Sequence, residues 1–474
     1  MCCVTQGLTA CCDRCQLMKC SGCQYVHYCG RQCQKRAWAD HRTECVTMCC
    51  VTQGLTACCD RCQLMKCSGC QYVHYCGRQC QKRAWADHRT ECANLKKVAP
   101  RIVPDAARTL ARIFFKLKRG GDMERKFYSK TQFRTFRDLM SHYSDIKQDE
   151  KKMEHFASLF AVLTEFLGEE NVPNSAELLG IYGRMCVNSF NISDAEMLSI
   201  GTGIYLGASV VDHSCDPNAV AVFNGTTINI RAVKEIPTLD WSKIFISYID
   251  VMNFPKDRQK ELQETYYFLC GCSRCKDIEE IKSMSAILCP NTKCGSPVPV
   301  TKEDAGHNDL SCPVCGEAVS NDTYQEYLEV AEFTQDQLKN MSNIAYLDVC
   351  AVCLRKQRGL FHELDLLRAK VLDLALESCI ALGQWEDAAR HGTRLLPAYR
   401  RYYGARHPLF GVFLLKLAKI SLYLGRAPEC SRLLAEAQGV VALTHGRQHG
   451  LYTGELSALW RQCRAECASS TVAP

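Results

Sequence analysis

The sequence predicts a multidomain α+β protein in which zinc-binding modules precede a core of small β-sheets and an all-α C-terminal region. The chain has 474 residues, more than a single compact core normally holds. Its 35 cysteines recur in the short pairs that are typical of metal sites. Short β-rich runs occupy residues 200–250, whereas the chain from about residue 321 onward follows a helical period. We therefore expect several domains of different architecture.

The cysteines indicate zinc thiolates rather than disulfides. They occur in C-x2-C and H-x3-C spacings, and the N-terminus has neither the charged start nor the continuous apolar stretch of a signal peptide. We therefore expect a reducing compartment, in which thiolates persist as metal ligands. The longest uncharged run, Met197 to Val211, is too short to cross a bilayer, so we expect no membrane partner.

The formal net charge of +7 does not indicate a nucleic-acid-binding protein. Each zinc ion adds two positive charges, but its thiolate ligands remove up to four, so the zinc-loaded chain is slightly negative. The sequence also lacks the C2H2 finger spacing of many DNA-binding zinc proteins. We therefore do not expect nucleic acid as a main partner.

Residues 1–45 and 48–92 are identical at every position, which indicates a very recent exon duplication or an error in the gene model. Each copy carries four pairs of Cys or His residues, enough for two tetrahedral zinc sites. The expected ligands of the first copy are Cys12, Cys15, Cys20, Cys23, Cys29, Cys33, His41 and Cys45. Those of the second copy are Cys59, Cys62, Cys67, Cys70, Cys76, Cys80, His88 and Cys92. We expect only one copy to dock on the rest of the chain, leaving the other tethered.

Apolar residues recur at helical spacing between about residues 93 and 188. One predicted helix face consists of Leu110, Ile113, Phe114 and Leu117, and another of Phe156, Leu159, Phe160 and Leu163. The basic residues Lys116, Lys118, Arg119, Arg125 and Lys126 are most simply a solvated face.

Three short runs then predict strands: Val220–Phe223, Thr227–Val233 and Ile244–Tyr248, with a turn at Asn224 and Gly225. A split set of thiols surrounds them. Cys215 precedes the runs, and three more thiols follow about fifty residues later: Cys270, Cys272 and Cys275. Four thiolates make one tetrahedral zinc site, which would tie two distant segments together.

A further pattern, Cys289, Cys294, Cys312 and Cys315, resembles a zinc ribbon. Cys350 and Cys353 also have C-x2-C spacing, but they lie in a predicted helix without a partner pair, so we interpret them as incidental.

The C-terminal region contains a concealed repeat of 42 residues. Gly383 and Gly425, Gly404 and Gly446, and His407 and His449 are separated by this interval. Helix pairs joined at small residues resemble tetratricopeptide repeats with lengthened helices. We expect His407 and His449 to be loop or capping residues rather than ligands.

Taken in order, these features resemble the SET and MYND domain-containing (SMYD) family of protein lysine methyltransferases. The resemblance implies MYND zinc fingers at 1–47 and 48–95, a helical segment at 96–185 and a SET core at 186–250. It implies a post-SET zinc segment at 251–280, a zinc-ribbon insertion at 286–320 and a helical repeat domain at 321–474. In MYND fingers the ligand pairs interleave, so one zinc takes Cys12, Cys15, Cys29 and Cys33 and the other takes Cys20, Cys23, His41 and Cys45. The second copy would pair Cys59, Cys62, Cys76 and Cys80, and Cys67, Cys70, His88 and Cys92.

The resemblance also implies the cofactors Zn²⁺ and S-adenosylmethionine (AdoMet), and it assigns site residues. Tyr248, Tyr266 and Phe190 match the catalytic lysine channel. The positions that match AdoMet contacts are His142, Asn188, Asp212, His213, Tyr248 and Phe268. The zinc site formed by Cys215, Cys270, Cys272 and Cys275 would anchor the wall that holds Tyr266 and Phe268.

Three departures from the family bear on activity. The family begins with a β-rich segment before MYND that contacts the methionine end of AdoMet, and this chain starts in MYND, so we expect part of that pocket to be missing. Asp212 replaces the family's asparagine, and a carboxylate only accepts hydrogen bonds. The Gly-Glu-Glu-Leu stretch expected before Tyr248 is replaced by residues 237–242.

Two functions remain open at this point. The first is an AdoMet-dependent protein lysine methyltransferase acting on histone or other protein lysines, as a monomer in nucleus and cytoplasm and as a regulator of chromatin. The second is a catalytically impaired zinc-rich scaffold of the same ancestry. In both, MYND would bind proline-rich peptides.

Overall fold

The computed structural model describes residues 65–75, 77–300, 310–340 and 346–470, with side chains to residue 468, and the backbone of three short strands near the N-terminus. Those strands, β1 (Thr5–Gln6), β2 (Met18–Lys19) and β3 (Val26–Tyr28), form one sheet in the order β1-β3-β2. The rest of the first 45-residue copy lies outside the described residues, so its predicted zinc ligands are not tested, and neither is the prediction that one copy stays tethered.

The described part of the second copy is a two-stranded sheet followed by two helices. Its elements are β4 (Met65–Lys66), β5 (His74–Tyr75), α1 (Arg78–His88) and α2 (Cys92–Val98). Leu95 and Val98 of α2 are buried, and the finger shares a hydrophobic core with the helices that follow it. The second copy is therefore docked on the helical segment.

The helical segment forms the helices that its apolar spacing predicts. Its elements are α3 (Asp105–Lys118), the hairpin β6 (Lys126–Phe127) and β7 (Phe133–Arg134), α4 (Tyr143–Gln148), α5 (Glu150–Leu167) and α6 (Ser175–Asn188). Leu110 of α3 and Leu163 of α5 are fully buried in the common core. Lys116 and Lys126 lie at the surface and both pair with Glu124, each at 2.7 Å.

Small two-stranded sheets build the next region. Its strands are β8 (Ser189–Ser193), β9 (Ser199–Ile204), β10 (Asp212–His213), β11 (Ala219–Asn224), β12 (Thr227–Ala232) and β13 (Phe245–Ile246). β11 and β12 form the expected hairpin, in which Gly225 adopts a positive φ of 60° that suits a glycine turn. The third predicted strand is shorter than expected, and it pairs in parallel with β10.

The sequence analysis missed the antiparallel pair β8 and β9. Residues Ser189–Ser193 do not show the alternation of apolar and polar residues that predicts a strand. Ile192 and Ser193 are both buried, and Asn191 is exposed. This pair directly follows α6 and carries Phe190.

Two helices and a ribbon follow the sheets: α7 (Pro255–Tyr266), α8 (Ile278–Met284), β14 (Ala286–Leu288) and β15 (Pro297–Pro299). The C-terminal helices are α9 (Asn321–Asn340), α10 (Leu347–Lys356), α11 (Leu366–Ala381), α12 (Trp385–Tyr402), α13 (Pro408–Tyr423), α14 (Ala427–Thr444) and α15 (Ser457–Ser470), with a π-helical turn at Leu451–Leu456. Cys350 and Cys353 are fully buried in the hydrophobic core of these helices.

The 42-residue repeat corresponds to two helical hairpins, α11 with α12 and α13 with α14. The predicted glycines end helices in the left-handed conformation, with φ of 70° at Gly383 and 72° at Gly425. His407 Nδ1 accepts a hydrogen bond from Leu409 N, and His449 Nδ1 accepts one from Leu451 N. The prediction of loop or capping residues is confirmed: His407 is the N-cap of α13, and His449 lies in the loop before the π-helical turn. None of the described helices combines the length and the apolar character that a membrane span requires.

Candidate active site and metal centres

A cluster of four thiols forms where two distant segments of the chain meet. Cys215 follows β10, and Cys270, Cys272 and Cys275 follow α7; their Sγ atoms all lie within 4.8 Å of one another. Cys215 Sγ is 3.9 Å from Cys270 Sγ and 3.5 Å from Cys275 Sγ. Tetrahedral zinc with Zn–S bonds of about 2.3 Å places its sulfur atoms about 3.8 Å apart, so the group fits zinc. We call it the central cluster.

Arg258 and Arg274 support the central cluster. The Arg258 guanidinium is fully buried and its Nη2 lies 3.8 Å from Cys275 Sγ. Arg274 donates to the Cys215 carbonyl at 3.1 Å, to Glu280 Oε1 at 2.7 Å and to the Tyr402 carbonyl of α12 at 2.7 Å. Because four thiolates with one zinc leave two negative charges, both guanidiniums offset charge that burial would otherwise disfavour.

Aromatic rings extend from the central cluster. The His213 ring centroid lies 5.3 Å from Tyr248 and 5.8 Å from Phe268, and Tyr248 lies 5.0 Å from Tyr266. Tyr266 ends α7 and Phe268 precedes Cys270, so the metal ligands fix the segment that carries both rings. The structure thus brings together four residues that the sequence analysis selected. We call this group the ring wall.

His213 joins the ring wall to the thiols. Its Nδ1 accepts a hydrogen bond from the backbone N–H of Tyr248 at 3.0 Å, and its Nε2 lies 3.3 Å from Cys215 Sγ. Burial lowers the pKa of His213 to about 4, an effect that the Cys272 thiolate opposes and Arg258 reinforces. The imidazole is therefore neutral at physiological pH and its Nδ1 lone pair holds the start of the Tyr248 segment.

Tyr248 is held by its hydroxyl as well as by its backbone. The hydroxyl donates to the Val211 carbonyl at 2.6 Å. Burial, and then the neighbouring Asp212 and Tyr266, raise the pKa of Tyr248 well above its ordinary value. Burial likewise raises the pKa of Tyr266, with Glu261 adding to the shift. Both phenols are consequently neutral, so they act as hydrogen-bonding groups and not as bases.

His142 lies at the far end of the ring wall, where Tyr267 links it to Phe268. The His142 and Tyr267 rings stack with centroids 5.2 Å apart, and both residues have positive φ. Tyr267 was missed by the sequence analysis, which named the residues on either side of it. The Asn188 side chain donates to the Met140 carbonyl at 2.8 Å and so fixes the segment that leads to His142.

A cavity of about 450 Å³ is lined in part by Tyr248 and Tyr266. Asn188 and Phe190 line it, whereas His142, Asp212, His213 and Phe268 do not. Its lining also includes residues that the sequence analysis did not select: Asp250, Glu261, His407, Pro408 and Leu409. His407 belongs to the turn between α12 and α13, so the cavity lies between the small sheets and the C-terminal helices. Burial, and then Asp250, raise the pKa of the Glu261 carboxyl.

Two of the departures from the family pattern, Asp212 and residues 237–242, lie among the described residues. Asp212 is exposed and pairs through its backbone with Phe245. Residues 237–242 lead into a short 3₁₀ turn at Trp241–Lys243, and the Trp241 ring packs edge-on against Tyr128 at 5.5 Å. The β13 strand is therefore preceded by a compact turn that the helical segment supports.

A second group of ligand atoms occurs in the docked finger. Cys67, Cys70, His88 and Cys92 lie within 4.8 Å of one another, as the interleaved pairing implies. His88 Nε2 is 3.3 Å from Cys67 Sγ and 3.5 Å from Cys70 Sγ, so this nitrogen faces the metal position. Of the finger's other predicted ligands, Cys80 is buried, whereas Cys59, Cys62 and Cys76 lie outside the described residues.

The third group is the ribbon cluster: Cys289, Cys294, Cys312 and Cys315. Cys289 Sγ lies 3.5 Å from Cys315 Sγ, and Cys294 Sγ lies 3.8 Å from Cys312 Sγ, which again fits tetrahedral zinc. The ligands of all three groups were selected from their spacing, and the grouping of the finger's ligands was implied by the family resemblance.

Comparison with known proteins agrees with this architecture. The MYND finger family model matches residues 3–45 and 49–92. Histone-lysine N-methyltransferase SMYD3 from Homo sapiens is 32% identical over 97% of this chain and 89% of its own length. Histone-lysine N-methyltransferase ASHR1 from Arabidopsis thaliana is 29% identical over 98% of this chain and 88% of its own length. N-lysine methyltransferase SMYD2 from Gallus gallus is 26% identical, covering 92% of this chain and 85% of that protein.

Proposed function

Because this chain belongs to the SMYD family of protein lysine methyltransferases, we propose that it transfers a methyl group from AdoMet to the ε-amino group of a lysine in a protein substrate. One observation carries the proposal. Tyr248 belongs both to the ring wall and to the lining of the cavity between sheets and helices. A cofactor beside the ring wall and a side chain in the cavity would meet at this residue.

The residues beside the central cluster suit AdoMet. Aromatic faces at Phe268, His213 and the stacked pair of His142 and Tyr267 would bind the adenine, and the exposed Asp212 carboxylate would bind the cofactor's ammonium group. When bound, AdoMet supplies an electrophilic methyl group on a sulfonium. We assign these residues to binding and orientation, with Asn188 holding the His142 segment through Met140.

The cavity suits a lysine side chain. Phe190, Tyr248 and Tyr266 would surround the aliphatic stem, and Asp250 and Glu261 would attract the ammonium as it enters. The neutral Tyr248 hydroxyl already donates to Val211, so its oxygen lone pairs remain to accept from the lysine amine and align it. Positioning is the main contribution of such a site, because the cofactor carries the reactive group.

We assign zinc in the central cluster the role of fixing this geometry. Its ligands Cys215 and Cys270 bracket three of the wall's rings in the chain: Tyr248, Tyr266 and Phe268. Loss of the metal would release Phe268 and Tyr266 together. The finger's role would be binding of proline-rich peptides that deliver substrates, and histone tails are one substrate class.

The proposed setting is a monomer acting in nucleus and cytoplasm, where thiolates persist as zinc ligands. The alternative function, a zinc-rich scaffold without catalysis, is favoured by one property of Asp212: its carboxylate can accept from an ammonium group but cannot donate a hydrogen bond, as the family's asparagine can.

The deciding experiment is calorimetric titration of the zinc-replete full chain with AdoMet, followed by methylation of a lysine peptide array. We expect micromolar binding and transfer to a subset of peptides. The Tyr248→Phe variant should bind AdoMet like the wild type but transfer at least about 100-fold more slowly, because it keeps the ring and loses the aligning hydroxyl. Absence of AdoMet binding by a folded, zinc-loaded chain would reject the methyltransferase and favour the scaffold.

A further inference from the structure

Glu91 stands between two metal ligands of the docked finger and is completely buried. Its Oε1 lies 3.1 Å from His88 Nδ1. Since His88 Nε2 faces the thiols, the proton of this imidazole resides on Nδ1 and is donated to Glu91. The carboxylate therefore sets both the tautomer and the ring orientation of a metal ligand.

The same carboxylate holds a helix outside the finger. Arg108 of α3 donates to Glu91 through two nitrogens, Nη2 to Oε1 at 2.7 Å and Nε to Oε2 at 2.9 Å. Arg108 is itself 1% exposed and lies over the Tyr72 ring of the finger, 5.4 Å from its centroid. Arg112, one turn further along α3, approaches Glu91 Oε1 at 3.7 Å. One glutamate thus serves the metal site and the docking of α3.

The duplication makes this arrangement informative. The first copy contains the same residue, Glu44, between His41 and Cys45, but Cys45 is followed by the second copy instead of by α2 and α3. Arg108 lies outside the duplicated stretch, so it has no counterpart after the first copy, and its guanidinium donates to Glu91. Two identical sequences are therefore followed by different segments of the chain.

We propose that Glu91 is a positioning residue that couples zinc binding in the second finger to the docking of α3, and that Glu44 has no such role. Loss of zinc would free His88 to turn away from Glu91, which would weaken the anchor of Arg108. Conversely, loss of Arg108 would leave Glu91 free to move and would loosen the metal ligand. The inference concerns the finger and does not depend on methyl transfer.

The test compares Glu91→Gln with Glu44→Gln in the zinc-loaded full chain. Two readouts are made on each variant: the rate of zinc release to a colorimetric chelator, and amide hydrogen exchange of residues 105–118 by mass spectrometry. We expect Glu91→Gln to release one zinc at least tenfold faster than the wild type and to increase exchange in α3. The matched Glu44→Gln variant should leave exchange in α3 unchanged.

Arg108→Met supplies the reciprocal half of the test, since it should speed release of the same single zinc although it touches no ligand. If Glu91→Gln does not fold, Glu91→Asp keeps the charge, shortens the reach and is measured in the same way. Equal zinc release from the two glutamine variants, with α3 exchange unchanged in both, would overturn the proposal. Unchanged zinc release in Arg108→Met would overturn it as well.

Discussion

The central cluster and the ribbon cluster have the same four-thiolate chemistry but opposite surroundings. The central ligands come from segments 60 residues apart, whereas the most widely spaced ribbon pair that makes contact is 26 residues apart. Arg258 and Arg274 both contact the central cluster, and Arg274 also connects it to α12. The ribbon ligands contact their own loops, as in Cys294 Sγ to Ser296 Oγ at 3.3 Å, and Cys315 is exposed.

Two metal sites with the same ligands can therefore differ in how much of the surrounding structure depends on them. Removal of a ribbon ligand should loosen only the ribbon's own loops. Its strand β14 stays attached to the rest of the chain through backbone hydrogen bonds such as Leu288 N to Leu360 O. Removal of a central ligand separates β10 from the end of α7, and with them the two sides of the ring wall. We therefore expect substitutions at and near the two clusters to have effects of different size. Measuring these effects tests whether the clusters differ in structural importance.

The largest effect should come from Cys272→Ser. This variant should lose one zinc, lose measurable AdoMet binding and lose more than about 4 kcal/mol of unfolding free energy, because the metal holds two segments together. Metal analysis, calorimetry and chemical denaturation measure the three quantities. Retained AdoMet binding in a chain that has lost this zinc would show that the ring wall does not need the metal.

The matched substitution Cys315→Ser should also cost one zinc but leave AdoMet binding intact. Its unfolding should be confined to the ribbon, with the stability of the C-terminal helices within about 1 kcal/mol of the wild type. Hydrogen exchange along residues 286–320 and α11 locates the change. Loss of AdoMet binding in this variant would remove the distinction between the clusters.

A smaller effect is expected from Arg274→Met, which leaves all cysteines in place. Glu280 is buried and loses its 2.7 Å partner, and the link from Cys215 to Tyr402 is broken, so the chain should lose about 3 kcal/mol. Lys282→Met is the control, since its partner Glu279 is exposed and such pairs contribute about 0.5 kcal/mol. Similar losses in both variants, measured by denaturation, would contradict the proposed tie between the cluster and the repeats.

The smallest effect concerns pH at the turn that faces the cavity. Burial lowers the pKa of His407 to about 4; Arg274 adds to the shift and Asp250 opposes it. Because the folded value is below that of the unfolded chain, His407 stabilises least at low pH: its full contribution is present above about pH 6.5 and declines as the pH falls toward 4. The wild type should lose about 1 kcal/mol more than His407→Asn between pH 7.5 and 5.5.

Asparagine keeps the N-cap at this position. Effects of acid on the zinc thiolates are common to both chains and cancel in the difference between them. Parallel stability profiles for wild type and variant, from denaturation at each pH, would mean that His407 titrates normally.

Local sequence signals predicted much of this molecule. Thiol and imidazole spacing selected the ligands of all three groups described, the Asn224 and Gly225 pair marked a hairpin, and the glycine interval marked the helical repeat. Residues such as Tyr248 and Phe268 were found through family resemblance. The strands β8 and β9 were missed because alternation along a short polar run is a weak signal.

What the sequence determined by itself is therefore the chemistry that depends on neighbours in the chain: ligand type, turn residues and apolar period. What only the tertiary structure decided is which distant groups share a space. Asp250, Glu261 and His407 line one cavity, Tyr267 stacks on His142, and Arg108 donates to Glu91. The physical reason is that a carboxylate or an arginine carries no local mark of its partner. Its environment is set by burial and by long-range packing.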